Sequence, residues 1–326
     1  MRYFVTGGAG FIGSNYIEHL FKEVAGVTAV TIYDKFTYAA NPKNYQEFTD
    51  DPRLTVIEGD ICDLLFLENS MENHDYVLHF AAESHVDRSI NDASVFIQTN
   101  VLGTFNVLEA ARNAGVKTII HVSTDEVYGS LLEGSADENC PLLPNSPYAA
   151  SKAASDLLAR SYFVTHGLDV RITRCCNNYG KYQFPEKVIP VFVNKLNSGE
   201  RLPIYGDGQN VREWIHVLDH ARGIQTVLDK GKPGEIYNIG TGSHLANNDL
   251  ASEIIRVMRL SDSMKSYVSD RQGHDFRYSV DSQKIGSLGF EIKIDFIDGL
   301  KATIDWYTTN PGWWDKESEV SQKWFL

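Results

Sequence analysis

The segment Gly7-Gly8-Ala9-Gly10-Phe11-Ile12-Gly13 constrains this chain more than any other. It follows an apolar run at 2–6 without a spacer and opens a helical pattern. Gly7, Gly10 and Gly13 have the spacing GxxGxxG, which lets a backbone turn tightly and approach a pyrophosphate. The helix that follows offers unpaired N–H groups and the positive end of its dipole to an anion. An acid at the end of the second strand completes the pattern. Asp34 can accept hydrogen bonds from adenosine ribose hydroxyls and repels a 2′-phosphate, which favours NAD over NADP. The plain alternative is a glycine turn beside a solvated aspartate. Asp60-Ile61, after the third strand, borders the adenine on the same logic or is an ordinary loop.

Short apolar, β-branched runs recur at 2–6, 27–33, 54–57, 76–80, 118–123 and 170–173. Apolar on both faces, they suit a buried parallel sheet. Helical patterns lie between them. Val101, Phe105 and Leu108 recur at helical spacing after Asn100, which reads as an N-cap. This alternation predicts an α/β fold, a doubly wound (Rossmann) parallel sheet with right-handed crossovers. The pattern changes after Asn177: proline, glycine and aromatic residues punctuate 179–212, and a helix fits 188–197. An apolar run at 234–239 resembles the first half again, and a last helix fits 297–308. At ~150 residues per domain the chain holds about two. The reading is an NAD-binding domain of 1–178 plus about 211–242, with a smaller interleaved C-terminal α/β substrate domain of about 179–210 plus 243–326. The polar tail after Trp314 is expected to fray.

Composition excludes several partners. With 43 acidic against 30 basic residues the formal charge is −13, the wrong sign for a nucleic-acid or anionic-membrane surface. No run of roughly eighteen apolar residues indicates a membrane span. The N-terminus starts a strand at once, so no signal peptide is expected. Four cysteines make neither a disulfide framework nor a zinc pattern, so no metal is expected and the protein reads as cytoplasmic. Scattered His79, His85, His121, His216 and His220 read as core or surface histidines, Cys175-Cys176 as buried packing, and Trp313-Trp314 as packing.

Two further motifs carry chemistry. Tyr148 and Lys152 are four apart in a helical pattern, so they share a face about 6 Å apart along the axis. A nearby ammonium would lower the tyrosine pKa and make it a base; the alternative is a surface pair. Thr124-Asp125-Glu126 follows the strand TIIHV, where residues at the carboxyl end of a parallel strand face the ligand crevice. Thr124 can bond a substrate hydroxyl, and the two carboxyls form an acid/base couple if their surroundings separate their pKa values. The alternative is an acidic loop cap.

These residues together resemble the extended short-chain dehydrogenase/reductase superfamily of nucleotide-sugar enzymes, and within it the dTDP-glucose 4,6-dehydratase family. The matching segments include TGGAGFIGSN, YDKFTYAANPKN, GDICD, HFAAESHVDRSI, STDEVYG, PYAASKAASD, RCCNNYGKYQFPEKVIP, PIYGDGQNVREWIHVLDHARG, YNIGTG and DRQGHDFRYSVD, in order along almost the whole chain. The Asp-Glu pair is the most specific of them, since the epimerases of the superfamily usually carry other residues there. The resemblance implies a nucleotide-sugar substrate, dTDP-glucose, with UDP-glucose dehydration or epimerisation as alternatives. It implies that Tyr148, assisted by Thr124 and Lys152, takes the sugar 4-hydroxyl proton while hydride passes to NAD. It further implies that Glu126 removes the C5 proton, Asp125 protonates the departing C6 hydroxyl, and the hydride returns to C6.

For the cofactor, the resemblance implies Phe11, Ile12, Lys35, Thr37, Ala81, Ala82, Ser84, Thr99 and Asn178 beside the residues already named. For the substrate it implies Ser84, Asn177, Lys187, Val188, Pro203, Ile204, Tyr205, Arg212, Asn247, Arg271 and His274. Arg212 and Arg271 make physical sense as diphosphate clamps, because guanidinium forks suit phosphate oxygens. It also implies a homodimer built on helices at 101–114 and 146–163.

Overall fold

Strands that are apolar on both faces need cover on both faces, and this chain supplies it. In the computed structural model, which describes residues 1–313, the strands run in chain order as follows. The first six are β1 (Arg2–Thr6), β2 (Ala29–Asp34), β3 (Leu54–Glu58), β4 (Tyr76–His79), β5 (Thr118–Thr124) and β6 (Val170–Cys175). Then come β7 (Asn177–Tyr179), β8 (Leu202–Tyr205), β9 (Val211–His216), β10 (Ile236–Ile239), β11 (His244–Ala246) and β12 (Lys265–Val268). Seven of them form one parallel sheet in the order β10-β6-β5-β4-β1-β2-β3. This is the doubly wound α/β sheet expected from the alternation. Period-2 alternation divides its cover: Tyr3 and Val5 pack on one face with Tyr16, Ile17 and Leu20, and Phe4 packs on the other with Leu67, Val107 and Tyr162.

A second cluster of buried residues gathers Tyr179, Ile189, Phe192, Trp214, Leu250, Ile254, Leu300 and Tyr307. It is framed by helices Val188–Asn197, Asn247–Val257 and Phe296–Thr309 and by the small sheets β11-β9-β7 and β12-β8. β9 lies inside the segment expected in the first domain, yet it pairs with β7 and β11; the return to the large sheet begins with helix Val217–Lys230 and β10. The expectations for the tail and for Trp314 lie outside the described residues. Trp313 is buried against Tyr182, Trp306 and Tyr307, and its indole nitrogen donates to Asn44.

One expectation at element level is overturned. Asn100 is not an N-cap, because helical backbone begins at Ser94 and continues through a π-helical stretch, Ile97–Gly103, into Thr104–Ala114. Its buried side chain serves a loop instead. It accepts from the Glu83 N–H at 2.9 Å, donates to the Glu83 carbonyl at 3.0 Å, and donates to the Ser151 hydroxyl at 2.8 Å. The face Val101–Phe105–Leu108 is also split. Leu108 is buried, whereas Phe105 is exposed.

Candidate active site

The carboxyl ends of the parallel strands open on one cavity of about 1030 Å³. At its near end lies the glycine turn. Gly7 adopts φ +69°, and a Cβ there would come 2.6 Å from the Ala81 nitrogen. A Cβ on Gly13 would collide with the Gly7 carbonyl oxygen. Only glycine therefore allows this approach of turn, helix and β4. Asp34 fastens the turn to β2: one carboxylate oxygen accepts from the Ala9 N–H at 2.9 Å and the other from the Phe36 N–H at 2.9 Å. Lys35 and Asp60 pair at 2.7 Å across the neighbouring wall. Phe11, Ile12, Thr37, Ile61, Ala81, Ala82, Ser84 and Thr99 line the same cavity, the last on the π-helical stretch.

The chemistry-bearing side chains meet in the middle. β5 ends at Thr124, whose hydroxyl donates to Asp125 at 3.2 Å and accepts from the Glu126 N–H at 3.2 Å. Ser146 caps the helix Pro147–His166 by accepting from Ala149 N–H, and the first turns of that helix bring Tyr148 and Lys152 to the cavity. Burial, then the neighbouring Glu126 charge, raise the Asp125 pKa well above the carboxylate range. Burial also raises Glu126, but Arg271, Lys187 and Arg212 each pull it back. The environments of the two carboxyls therefore differ in the charge of their neighbours, chiefly an anion for Asp125 and cations for Glu126.

The expected effect of Lys152 on Tyr148 is corrected. Burial, then the Glu126 charge, hold the Tyr148 phenol well above its usual range, and it is contact with the Thr124 hydroxyl that pulls it down. Lys152 is itself lowered to about 8 by burial, and its ammonium donates to the Val122 carbonyl at 2.8 Å. Desolvation penalises phenolate and ammonium alike, so it outweighs the attraction that spacing alone suggests.

The far wall comes from the second cluster. Lys187 donates to the Ser84 carbonyl at 2.8 Å, Tyr38 donates to Glu186 at 3.2 Å, and Arg271 pairs with Asp87 at 3.3 Å, so three contacts tie this wall to the near one. Arg212 stacks on Tyr278 and donates to the Asp275 carbonyl at 2.9 Å, which fixes its fork. Asn177, Asn178, Val188, Pro203, Ile204, Tyr205, Asn247 and His274 complete the lining. Every residue given a catalytic, cofactor or substrate role from the sequence thus falls on one surface. Buried polar atoms there lack a hydrogen-bond partner among the described residues: Asp125 Oδ2, Asn177 Oδ1, His220 Nε2 and Arg271 Nε. Such atoms suit a polar ligand, and the glycine cradle suits a pyrophosphate, so the residues present fit a dinucleotide.

His85, His220 and Cys175-Cys176 belong to the lining too; all four are buried, and the two cysteines pack in a core cluster as expected. The rule that finds Thr124 at the carboxyl end of β5 also finds Cys175 at the end of β6, which runs two residues past the apolar run expected at 170–173.

A family model described as GDP-mannose 4,6 dehydratase matches residues 4–303. The chain is 51% identical to a dTDP-glucose 4,6-dehydratase of Streptomyces antibioticus over 97% of this chain and 95% of that one. The chain belongs to the dTDP-glucose 4,6-dehydratase family. Among solved members, DesIV, a dTDP-glucose 4,6-dehydratase from Streptomyces venezuelae with NAD bound, superposes with a TM-score of 0.95 at 53% identity, covering 97% of this chain and 99% of that one. A UDP-glucose 4-epimerase from Thermotoga maritima shares the fold with a TM-score of 0.88, but at 28% identity over 95% of this chain and 100% of that one. Fold alone therefore does not separate dehydratase from epimerase, whereas identity does.

Proposed function

We propose that this chain dehydrates dTDP-glucose to a 4-keto-6-deoxy sugar with NAD as a recycled cofactor. The observation that carries this reading is the placement of Thr124, Asp125 and Glu126 at the end of β5 in one cavity with Tyr148, Lys152 and the glycine turn. The identity with relatives named as dTDP-glucose 4,6-dehydratases supports the substrate.

The glycine turn, Asp34, Tyr148 and Lys152 hold NAD, which when bound accepts a hydride from C4 and returns it at C6. Tyr148 takes the proton of the sugar 4-hydroxyl, with the Thr124 hydroxyl favouring its phenolate. A ketone at C4 acidifies the C5 proton, and elimination beside it then becomes feasible. Glu126, whose pKa burial raises while three cations pull it back, removes that proton. Asp125, whose pKa burial and the Glu126 charge raise, gives a proton to the departing C6 hydroxyl. The couple works because each charge state supports the other. Arg212 and Arg271 hold the diphosphate of the substrate by guanidinium forks.

We assign residues 1–178 with about 211–242 to the cofactor side and 179–210 with 243 onward to the sugar-nucleotide side, except that β9 at 211–216 pairs with β7 and β11 and carries Arg212 to the sugar-nucleotide wall. We infer a homodimer through the helices at 101–114 and 146–163, the second observed as Pro147–His166, because Leu157 and Val164 are 60% and 63% exposed on that helix and Phe105 is exposed on the first. A cytoplasmic location fits the four unpaired cysteines. No helix among the described residues is long and apolar enough to cross a membrane.

The test is to incubate the pure protein separately with dTDP-glucose and UDP-glucose and to follow the products by mass. Loss of one water from dTDP-glucose, with no net NADH, is expected. Recovery of an isomer of unchanged mass would replace the dehydratase reading with an epimerase.

A further inference from the structure

Cys175 ends β6 on the wall of the cavity, 4% exposed. Asn178, on the adjoining strand β7, donates from Nδ2 to the Cys175 sulfur at 3.4 Å and to the Cys176 carbonyl at 3.0 Å. The same asparagine is held from behind, where its Oδ1 meets the His220 Nδ1 at 2.8 Å. His220 is fully buried in helix Val217–Lys230 and also lines the cavity. Its other nitrogen, Nε2, makes no hydrogen bond of ordinary geometry. The arrangement is thus a thiol with a donor on its sulfur and an imidazole beside it, opening on a chamber that admits small molecules.

We infer that Cys175 is a covalent capture site for soft alkylating electrophiles, primed by Asn178 and His220. The proposed reaction does not use this thiol. The thiolate is the nucleophilic form, so a neighbour that stabilises it raises reactivity. Cys176, His220 and Asn178 together hold Cys175 down to about 6 against the effect of burial. The other thiols are set differently: burial and the Asp60 charge push Cys62 up to about 11, and burial with its neighbour Cys175 pushes Cys176 up. In the capture step the sulfur lone pair attacks the carbon of an iodoacetamide, the carbon–sulfur bond forms as the carbon–iodine bond breaks, and iodide departs. The thiol proton passes to the imidazole of His220.

This inverts the order that exposure alone gives. Cys62 and Cys140 are more exposed than Cys175, so a passive set of thiols would label at those two first. The test uses the full chain, stripped of bound dinucleotide on charcoal and treated with limiting iodoacetamide, with the modified peptides mapped by mass. Cys175 is expected to label first, and His220→Gln to slow it several-fold while leaving Cys140 unchanged. Asn178→Ala serves as a second variant should His220→Gln melt at a lower temperature than the parent. Initial label on Cys62 or Cys140, or a Cys175 rate indifferent to both variants, overturns the proposal. Because it rests on the cavity but not on the dehydration chemistry, a separate arm adds NAD before the label. Slower Cys175 capture supports a shared chamber. Unchanged capture sinks the placement of the dinucleotide beside β6, and the order of labelling still judges the thiol.

Discussion

Asp125 and Glu126 differ in which charges they see, and that difference makes the pair testable one residue at a time. Glu126→Gln keeps size and polarity but removes the base. It is expected to slow turnover by about 10²–10⁴-fold, the usual scale for a lost general base. It should still let NADH absorbance rise in a single turnover with dTDP-glucose. Tyr148→Phe should abolish that rise. Deuterium exchange at C5 checks the assignment: exchange at the parental rate in Glu126→Gln would show that another group is the base. Lys152 gives a pH prediction. Burial lowers it to about 8, so its ammonium is present below that pH and is lost as pH rises through it. Cofactor reduction, measured by stopped flow after a jump from neutral pH, should decline on the alkaline side of about 8. A flat profile through that point would mean that the charge of Lys152 is not needed. These carboxyls and the Tyr/Lys pair were legible in the sequence because strand ends and helical spacing are local features. The direction of the Tyr148 shift was not, because it depends on burial contributed by residues far along the chain.

At the scale of elements, two devices place the site. The glycine turn works by close approach. Gly13→Ala would put a methyl group onto the Gly7 carbonyl oxygen, so the turn must open. The variant should purify with less bound NAD, read by absorbance after acid release, while a fold preserved by circular dichroism would locate the loss in the turn. The π-helical stretch works differently. Its extra residue turns Asn100 inward to clamp both backbone groups of Glu83, next to Ser84 on the cavity wall. Asn100→Ala leaves buried backbone groups without partners and should cost about 1–3 kcal/mol of stability by urea unfolding. It should also weaken substrate binding. An unchanged urea midpoint would contradict the clamp. Sequence reading located the seven strands of the large sheet to within a few residues, since their apolar runs are continuous. It misread Asn100, because a π-helical residue count breaks the spacing on which helix signals rest. The pairing of β9 with β7 and β11 was not legible, because partners separated by tens of residues leave no local mark.

For the molecule as a whole, exposed apolar side chains on neighbouring helices make the oligomer a direct test. Leu157→Asp combined with Val164→Asp removes the apolar face without touching the cavity. Light scattering should then report monomers where the parent gives dimers; a parent already monomeric at micromolar concentration would sink the dimer itself. The strand order β10-β6-β5-β4-β1-β2-β3 has a consequence for how the protein is made. Synthesis delivers the N-terminal part first. Six neighbouring strands of the large sheet, along with the glycine turn, Asp34, Tyr148 and Lys152, leave the ribosome before Arg212, Asn247 or Arg271 has been translated. β10 comes last, but it joins as an edge beside β6, so its lateness leaves no gap inside the sheet. The inner strands and the glycine turn are thus made before the sugar-nucleotide wall, and the Tyr3 and Val5 face of the sheet waits for helix Val217–Lys230 to complete its cover.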